Sequence, residues 1–446
     1  MHDRPPLDAS FPASRRELLG LGAALAGASL AACAAGQERP LADEPAPSAD
    51  ARAELDALFA ELTDQRASVQ PIQPAERAAR RARLASLLAP AGCDAYLCEG
   101  GATMDYLAGV RWGHSERTFA LVVCADGRHF WICPAFEAEK ARLSIEAAHG
   151  PGGEIAVWQE DEYAWEPARA ALRRHGADGR IAIDPATRLF IASSLAEELG
   201  SERILCAKAI VRDLRAVKDA HELELLRKAS ELTKTAIAAA ARTLRPGLTA
   251  GEVSRRIRHA QGRLGLTGTW DLSLVGPAAA YPHGGDRSRP IQKGELLLVD
   301  TGGSLHGYQS DVTRTWVVEG ELGADESRAW HAVRDAQLRA FEAIRPGVLC
   351  KEIDRVARAS LERAGFGSGY SLFTHRLGHG IGMEGHEPPY FDGGSEVRLE
   401  PGMTLSDEPG VYLYGRFGVR LEDIVAVTAG GAEHFGDWQS GPQAPA

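Results

Sequence analysis

The sequence of 446 residues lacks several features that define large classes of proteins. It has no uninterrupted apolar run of about 18 residues, which argues against a multi-spanning membrane protein. The seven cysteines include no CxxC pair, which argues against a metal site built from thiolates. Positive charge is in deficit, because 50 Lys and Arg face 61 Asp and Glu and the formal net charge is −11. Such a chain has no broad electrostatic footprint for nucleic acid, so no nucleic-acid partner is expected.

What the sequence does contain is the composition of a globular protein with sizeable cores. Apolar residues make up 44% of the chain and charged residues 25%, which argues against wholesale disorder. At about 150 residues per domain, the length predicts two or three domains. We divide the chain into a leader (1–33), a tether (34–71), an N-terminal domain (72–215) and a second domain (216–440).

The first 33 residues have the pattern of an export signal. Arg15 and Arg16 precede a short stretch of small apolar residues at 18–32, as in a twin-arginine signal. The stretch ends in Leu-Ala-Ala-Cys, which resembles a bacterial lipobox with Cys33 as the lipidated residue. We therefore predict an exported, periplasmic lipoprotein anchored to the membrane through Cys33, with residues 34–71 as a linker. A plain signal peptide and an N-terminal core helix are the alternatives.

The N-terminal domain alternates helical and strand-like patterns. Short apolar runs predict buried strands at residues 94–98, 118–124, 129–133, 154–158 and 180–184. This alternation is typical of an α/β domain around a mixed sheet. Most cysteines after Cys33 fall in strand-like apolar runs, so we expect buried free thiols, with disulfide pairing of some of them in an oxidising periplasm as the alternative. No catalytic constellation is visible in this domain.

The second domain contains an internal repeat. Arg-Pro-Gly-Leu at 245–248 recurs as Arg-Pro-Gly-Val at 345–348, and each copy lies between two helical runs. A spacing of one hundred residues is too long for a solenoid period. Unless the match is a coincidence, the repeat predicts a domain made of two related halves.

Each half carries two acidic residues near the ends of predicted strands. In the first half, Asp300 ends an apolar run and Asp311 begins the next one after a glycine-rich turn. These two residues can lie side by side on adjacent antiparallel strands. In the second half, Glu408 ends an apolar run and Glu422 lies in the returning segment 419–427. The pseudo-symmetry would bring the four carboxylates together.

Four neighbouring carboxylates cannot all stay ionised without cations. His379 lies among glycines in the segment 374–382, which argues against a zinc-binding helix. Four acids and one imidazole are too rich in oxygen for structural zinc and suit a pair of hard or borderline divalent ions. We therefore predict two divalent metal ions per chain, with Mn²⁺ first and Co²⁺ or Zn²⁺ as alternatives, and a bridging hydroxide as nucleophile.

The motifs around these residues resemble those of the M24 metallopeptidases of the pita-bread fold, in the branch of Xaa-Pro aminopeptidases and prolidases. The motifs are Pro-His-Gly-Gly at 282–285, Val-Asp-Thr-Gly-Gly at 299–303, Ser-Asp-Val-Thr-Arg-Thr at 310–315, the histidine-containing segment 375–389, Asp-Glu-Pro-Gly at 407–410 and Val-Arg-Leu-Glu-Asp at 419–423. The resemblance covers about residues 211–435. It implies an α/β, creatinase-like N-terminal domain followed by an α+β pita-bread catalytic domain with an internal pseudo-two-fold repeat.

The resemblance also implies a metal-binding role for each of the five matching ligand positions. Asp300 would chelate one metal ion. Asp311 and Glu422 would bridge both ions, and His379 with Glu408 would bind the other. All five positions hold residue types that can bind a metal.

Five residues are the catalytic candidates that the resemblance implies. Glu408 would also act as the general base. His283 and His386 would surround the substrate and either stabilise the oxyanion or donate to the amide. His375 and Arg420 would support the metal ligands or form a subsite, Arg420 by orienting carboxylates. For these two and for His283 and His386, a merely structural role is the alternative.

The implied function is a dinuclear-metal exopeptidase that hydrolyses the Xaa-Pro bond of dipeptides or of peptide N-termini by metal-bridged hydroxide attack. A small proline-containing peptide is the expected substrate and a homodimer the expected assembly. Dipeptidase and aminopeptidase activity both stay open. The alternative is an enzyme of the same fold that acts on a non-peptide small molecule, of the lyase or amidinohydrolase type. A non-catalytic binding protein is disfavoured because no ligand position is lost.

Overall fold

The computed structural model describes residues 48–150, 153–285 and 289–445. The predicted leader with Cys33 and the first part of the predicted tether lie outside the described residues. The remainder of the tether differs from a linker, because it contains helix α1 (Ala49–Leu58) and a 3₁₀ turn at Arg66–Ser68. Phe59 and Leu62 are buried in the core of the second domain. This apolar contact holds the segment against that domain.

The N-terminal domain is the predicted α/β domain with a mixed sheet. Its elements are α2 (Pro74–Leu88), β1 (Ala95–Glu99), α3 (Ala102–Ala108), β2 (Ala120–Cys124), β3 (His129–Pro134), α4 (Ala138–His149), β4 (Glu154–Trp158), α5 (Trp165–Arg174), β5 (Ile181–Ile183), α6 (Leu189–Leu199), β6 (Ile204–Cys206) and α7 (Lys208–Arg215). The sheet order is β4-β3-β2-β1-β5-β6. Strands β1 to β3 pair antiparallel, and the remaining pairs are parallel.

Both faces of this sheet are covered by apolar cores. Each predicted strand is present with slightly shifted ends, and β6 is an additional strand. Five of the six described cysteines are buried free thiols, and Cys206 on the edge strand β6 is exposed. In the part of the chain that the structure describes, the helices are all too short or too polar to cross a membrane.

The second domain consists of two helix pairs and three sheets. Its elements are α8 (Ala220–Ala241), α9 (Ala250–Arg263), β7 (Thr267–Val275), β8 (Leu296–Leu305), β9 (Tyr308–Gln309), β10 (Val312–Val317), α10 (Ala324–Ala343), α11 (Cys350–Arg363), β11 (Gly378–Gly380), β12 (Glu387–Phe391), β13 (Thr404–Asp407), β14 (Gly410–Leu413), β15 (Phe417–Arg420), β16 (Asp423–Val427) and β17 (Ala432–His434). The sheet orders are β10-β8-β7 with β9 on β8, β12-β11-β13-β16-β17, and β14-β15.

The internal repeat has the same backbone geometry in both copies. Gly247 and Gly347 have φ angles of 96° and 86°, a left-handed conformation that favours glycine. Each glycine N–H donates to a carbonyl oxygen of its own half, Ile291 at 2.9 Å and Leu399 at 2.8 Å. A helix precedes and follows each copy. The predicted domain of two related halves is therefore confirmed.

The strand register around the acidic residues corrects the prediction in two details. Asp300 pairs with Thr313, so Asp311, which precedes β10, is a diagonal rather than a direct neighbour of Asp300. Residues two apart on an extended strand face the same way, so Asp311 still lies on the side of Asp300. The predicted single returning segment is two strands, β15 and β16, and Glu422 lies between them.

Candidate metal centre

Five side chains from both halves of the second domain converge at one place. Asp300 lies on β8, Asp311 precedes β10, His379 lies on β11, Glu408 follows β13 and Glu422 precedes β16. The His379 and Glu422 residues are each only 2% exposed. The fold therefore buries most of this polar cluster between the two sheets that carry it.

The distances place the ligand-type atoms within reach of common ions. The Nε2 atom of His379 lies 3.3 Å from Glu408 Oε1, 3.6 Å from Asp311 Oδ2 and 3.8 Å from Glu422 Oε1. Three overlapping groups have ligand atoms within 4.8 Å of one another: His379 with Glu408 and Glu422, Asp300 with Asp311 and Glu422, and Asp311 with His379 and His386. Because Glu422 belongs to two of these groups, its carboxylate can face two ions.

The electrostatics of the cluster favour added positive charge. Burial raises the pKa of Glu408 to about 8, and the negative charge of Asp300 adds to this effect. Burial and the neighbouring Glu408 raise the pKa of Glu422 well above its ordinary value. Both shifts mean that the cluster without ions is short of positive charge.

His379 is prepared to act as a ligand through Nε2. Burial lowers its pKa well below the ordinary value, so the imidazole is neutral. Its Nδ1 atom lies 3.2 Å from the carbonyl oxygen of Gly380, which can only accept a hydrogen bond. The proton therefore sits on Nδ1, and the lone pair of Nε2 faces the carboxylates.

The residues present fit divalent cations. Within the described residues, Asp300 Oδ1 and Glu422 Oε1 are buried and have no hydrogen-bond partner. Buried polar atoms are seldom left in this state unless another group completes the site. Carboxylate oxygens with one neutral imidazole are donors that Mn²⁺, Co²⁺ and Zn²⁺ accept. The centre is therefore suited to hold such ions.

Hydroxyl groups behind the ligands hold them in place. The backbone N–H of His379 donates to Ser406 Oγ at 2.9 Å, and this hydroxyl lies 3.2 Å from Glu408 Oε1. Thr313 Oγ1 donates to Glu422 Oε2 at 2.7 Å. A Cβ at Gly378 would lie 1.9 Å from the carbonyl oxygen of Ser406, so only glycine permits this approach. The glycines around His379 indicated such close contacts, whereas nothing in the sequence pointed to Ser406.

Arg420 connects one ligand to the surrounding loops. Its Nη2 donates to Asp300 Oδ2 at 2.5 Å and its Nε to Thr313 Oγ1 at 3.1 Å. Its Nη1 lies 3.0 Å from the hydroxyl oxygen of Tyr412 and donates to the carbonyl oxygen of Pro282 at 3.2 Å. This geometry suits a residue that orients carboxylates, and it leaves the other oxygen of Asp300 for an ion.

The three other predicted histidines surround the centre at different depths. His375 Nε2 lies 2.7 Å from the hydroxyl oxygen of Tyr412. Burial, and to a smaller extent the positive charge of Arg420, lowers the pKa of His375 to about 3. The ring of His386 lies 3.9 Å from the ring of His379, centroid to centroid. His283 is exposed and follows Pro282, the residue whose carbonyl oxygen binds Arg420. His375 thus supports the site from behind, and the other two histidines border its open side.

Sequence reasoning missed Arg376 beside the centre. Its guanidinium lies 4.3 Å from the ring centroid of Tyr390, and its charge lowers the pKa of both His386 and Glu408. Among the described residues, no carboxylate lies within ion-pair distance of Arg376. A basic residue inside the histidine-containing motif was the signal that could have identified it.

Arg398, Arg111 and Trp112 make their contacts away from the centre. Arg398 donates to the carbonyl oxygen of Gly347 at 2.8 Å, in the repeat rather than in the site. Arg111 pairs with Asp105 at 2.7 Å, and Trp112 stacks on another aromatic ring of the N-terminal domain. Within this chain their contacts are structural.

The fold and the centre together define a class of protein, a two-domain enzyme with a buried acidic metal centre between related halves. Residues 224–429 match metallopeptidase family M24, and residues 80–217 match the creatinase/prolidase N-terminal domain. The chain belongs to metallopeptidase family M24.

Curated relatives and a solved structure agree with this assignment. The probable dipeptidase PepE of Mycobacterium tuberculosis is 37% identical over 353 residues, which cover 78% of this chain and 91% of the relative. The Xaa-Pro dipeptidase of Lactobacillus delbrueckii subsp. lactis is 32% identical over 358 residues, covering 79% of this chain and 95% of the relative. The crystal structure of dipeptidase PepE from Mycobacterium ulcerans has a TM-score of 0.78 at 32% identity, covering 84% of this chain and 100% of that one.

These findings confirm the predicted family, fold and enzyme class. The predicted family is confirmed, and so are the creatinase-like N-terminal domain and the pita-bread domain. The chain is an enzyme of the metallopeptidase class, also as predicted. The family and the donor set together make divalent metal ions the cofactor class.

Proposed function

We propose that this chain is a dinuclear-metal exopeptidase that hydrolyses dipeptides with proline in the second position. The observation that carries the proposal is the cluster of four acids and one neutral imidazole, in which Asp300 Oδ1 and Glu422 Oε1 have no hydrogen-bond partner among the described residues. The names of relatives, a probable dipeptidase and an Xaa-Pro dipeptidase, support the substrate class.

Asp300, Asp311, His379, Glu408 and Glu422 would hold two divalent ions, with Mn²⁺ as the first expectation and Co²⁺ or Zn²⁺ as alternatives. When bound, the ions supply Lewis acidity and lower the pKa of water. Glu422 and Asp311 would each serve both ions. This role is supported by the groups of ligand atoms, since each of the two carboxylates belongs to two of them.

The residues of the chain handle the proton and the substrate. Glu408 is the proposed general base: its Oε1 is held by Ser406, and its Oε2 lies 3.8 Å from His375 Nδ1. His386 and His283 border the open side of the centre, where their N–H groups can donate to the substrate carbonyl oxygen or to the scissile amide nitrogen. These donors would stabilise negative charge that develops on the substrate.

Arg376 favours short substrates over long ones. A dipeptide carries its terminal carboxylate one residue beyond the scissile bond, and Arg376 is a cation beside His386 without an ion-pair partner among the described residues. Charge-assisted hydrogen bonds to such a group contribute about 1.5–3 kcal/mol. The proposal is therefore a dipeptidase before an aminopeptidase.

A reconstitution assay tests this function. The protein is stripped of metal, loaded with Mn²⁺, Co²⁺ or Zn²⁺, and offered Leu-Pro, Leu-Ala and Leu-Pro-Ala. We expect fastest hydrolysis of Leu-Pro with at least one metal, two equivalents of metal per active chain, and no activity for Asp311→Asn. Absence of peptide hydrolysis with every metal would refute the proposal and leave the non-peptide alternative of the same fold.

A substitution at Arg376 separates dipeptidase from aminopeptidase activity. Arg376→Gln should raise the KM for Leu-Pro about 10–100-fold, as the loss of a charged hydrogen bond predicts. The KM for Leu-Pro-Ala should change much less, because its carboxylate lies one residue farther away. Equal changes for both peptides would favour aminopeptidase activity.

Export and assembly complete the proposal. Residues 1–33 are proposed to direct export and to leave a lipid on Cys33, which palmitate labelling of the wild type and of Cys33→Ala would test.

A homodimer through the N-terminal domain is also proposed, because Phe136 and Phe190 are 61% and 43% exposed there. Sedimentation of the wild type and of a Phe136→Ser variant would test the assembly.

A further inference from the structure

A buried ion cluster joins the interdomain linker to the catalytic sheet. It consists of Arg215 at the end of α7, Lys218 three residues later and Glu387 at the start of β12. Their side chains are 6%, 1% and 4% exposed. Lys218 Nζ lies 2.7 Å from Glu387 Oε1, and Arg215 Nη2 pairs with the other oxygen. Both oxygens of Glu387 are thereby engaged by cations of the protein.

The linker that supplies the two cations is tied to both domains. Arg215 Nη1 donates to Thr103 Oγ1 of α3 at 3.2 Å, a contact inside the N-terminal domain. The backbone N–H of Lys218 donates to the carbonyl oxygen of Gly402 at 2.9 Å, just before β13 of the catalytic domain. The positions of the two cations therefore depend on how the N-terminal domain is docked.

Glu387 lies against the strand that carries His379. It pairs with Gly380 where the register of β11 and β12 is interrupted. A Cβ at Gly380 would lie 2.3 Å from the carbonyl oxygen of Glu387, and a Cβ at Gly382 would lie 2.4 Å from its Oε1. The backbone of Glu387 thus occupies space that Gly380 leaves open, and its carboxylate occupies space that Gly382 leaves open, beside the strand that carries His379.

The residue before Glu387 is His386, whose ring centroid lies 3.9 Å from that of His379, with the two rings tilted by 43°. His386 is exposed on the open side of the centre. No hydrogen bond from the His386 side chain to a described residue holds that ring in place. The anchor nearest to it along the chain is the buried carboxylate of Glu387.

We propose that Glu387 is a positioning residue for the peptidase reaction: held by Arg215 and Lys218, it fixes His386 over His379 and couples the docked N-terminal domain to the metal centre. This inference rests on the proposed function. Glu387 does not touch the substrate or the reacting atoms, and it acts through the turn that carries His386. A buried ion pair is weak evidence for stability, and in some proteins such groups instead specify one arrangement of the chain.

The test compares three variants of the full chain in the Mn²⁺ and Co²⁺ forms. Glu387→Gln removes the charge at constant shape, and Lys218→Met removes one of the two cations. Glu99→Gln is the matched control, because Glu99 is a buried carboxylate paired with Arg188 inside the N-terminal domain. Steady-state kinetics with Leu-Pro and the visible absorption of bound Co²⁺ are measured for each protein.

Glu387→Gln and Lys218→Met should each lower kcat about 10–100-fold, the range for residues that hold ligands in place. KM should change less than kcat, and the Co²⁺ absorption bands should shift. Glu99→Gln should keep the parental kcat and the parental spectrum even where its thermal midpoint falls. A merely structural role of Glu387 would lower the thermal midpoint but leave kcat and the spectrum of the folded protein unchanged.

A folded Glu387→Gln protein with parental kcat and parental Co²⁺ bands would overturn the proposal. If Glu387→Gln does not fold, Lys218→Met takes its place, because it leaves Glu387 with one of its two cations. A folded Lys218→Met protein with parental kcat and parental Co²⁺ bands would also overturn the proposal. The Co²⁺ spectrum requires no turnover. If the wild type hydrolyses no peptide, the proposed function fails, and the spectrum alone then decides the positioning role.

Discussion

Glu422 and Asp423 are neighbours in the chain, and both side chains are buried, yet their electrostatic surroundings are opposite. Asp423 meets Arg314 Nη2 at 2.8 Å and Lys234 Nζ at 2.5 Å. These cations overcome the effect of burial and hold the pKa of Asp423 below its ordinary value. For Glu422, burial and nearby acids raise the pKa well above its ordinary value.

The difference arises because two consecutive side chains at the start of β16 point in opposite directions. Consecutive residues of an extended segment point to opposite faces, so Glu422 and Asp423 face different neighbours. The chain supplies its own cations on the side of Asp423, as it does for Glu387 with Arg215 and Lys218. On the side of Glu422, Arg420 pairs with Asp300, whereas Glu408 and Glu422 have no lysine or arginine within ion-pair distance among the described residues. That uncompensated side is the one prepared for metal ions.

The largest effect on catalysis is expected for Glu408, one of the acids that no lysine or arginine of the chain pairs with among the described residues. Glu408→Gln removes the proposed general base together with one ligand charge at nearly constant shape. We expect kcat for Leu-Pro to fall by about 10²–10⁴-fold, the usual contribution of a positioned acid or base. Turnover by the Mn²⁺ form of the purified variant is the measurement, with circular dichroism as the control for folding. A kcat within a few-fold of the wild type would remove Glu408 from the mechanism.

Substitutions of the two neighbouring acids should change stability in opposite directions. Asp423→Asn leaves the buried Arg314 and Lys234 without their carboxylate, so the free energy of unfolding should fall by about 3–5 kcal/mol. Glu422→Gln in metal-free protein removes a carboxyl that resists ionisation, so the same quantity should stay constant or rise. Urea denaturation in the presence of a chelator measures both. Equal losses for the two variants would contradict the comparison.

Metal removal should make stability fall as the pH rises. The pKa of Glu408 is about 8 in the folded chain against 4.5 as its ordinary value, so the folded state binds more protons between these values. The contribution of Glu408 to the free energy of unfolding is therefore fully present below about pH 4.5 and is lost as the pH rises through about 8. The loss should be on the order of 1–3 kcal/mol. Metal binding needs deprotonated ligands, so the metal-loaded protein should lose less or gain stability over this range. Thermal unfolding at pH 5, 7 and 9, with and without chelator, would show whether the two slopes differ.

The local parts of this arrangement were predictable from the sequence, and the long-range parts were not. Apolar runs that end in Asp300 and Glu408 indicated strands that deliver acids to one place, and the Arg-Pro-Gly repeat indicated two halves. The hydrogen bonds of Arg420 to Asp300 and Thr313 join residues far apart in the chain, and so does the pairing of Lys218 with Glu387. No periodic pattern in the sequence marks such pairs. The direct pairing of Asp300 with Asp311 was wrong by two residues, because the glycine-rich turn leaves the register open.

Asp407 provides the smallest and most specific test of the comparison. It pairs with Asp423 across β13 and β16, and neither of its carboxylate oxygens has a hydrogen-bond partner among the described residues. Burial, and to a smaller extent the charge of Asp423, raises the pKa of Asp407 well above its ordinary value, which favours the neutral form of its carboxyl group. An amide has the shape of a neutral carboxyl group. Asp407→Asn should therefore lower the free energy of unfolding by about 1 kcal/mol or less, near the centre of the range for single substitutions and well below the loss expected for Asp423→Asn.

The same denaturation experiment on Asp423→Asn is the matched comparison for Asp407→Asn. The two acids are opposite each other in the sheet, and of the two only Asp423 pairs with the cations Arg314 and Lys234 among the described residues. If Asp407→Asn proved as destabilising as Asp423→Asn, Asp407 would be ionised in the folded chain. Asp407 would then be a buried, ionised acid that neither a cation of the chain nor a metal ion neutralises. The contrast between acids paired with the chain's own cations and acids that bind metal ions would not hold for Asp407.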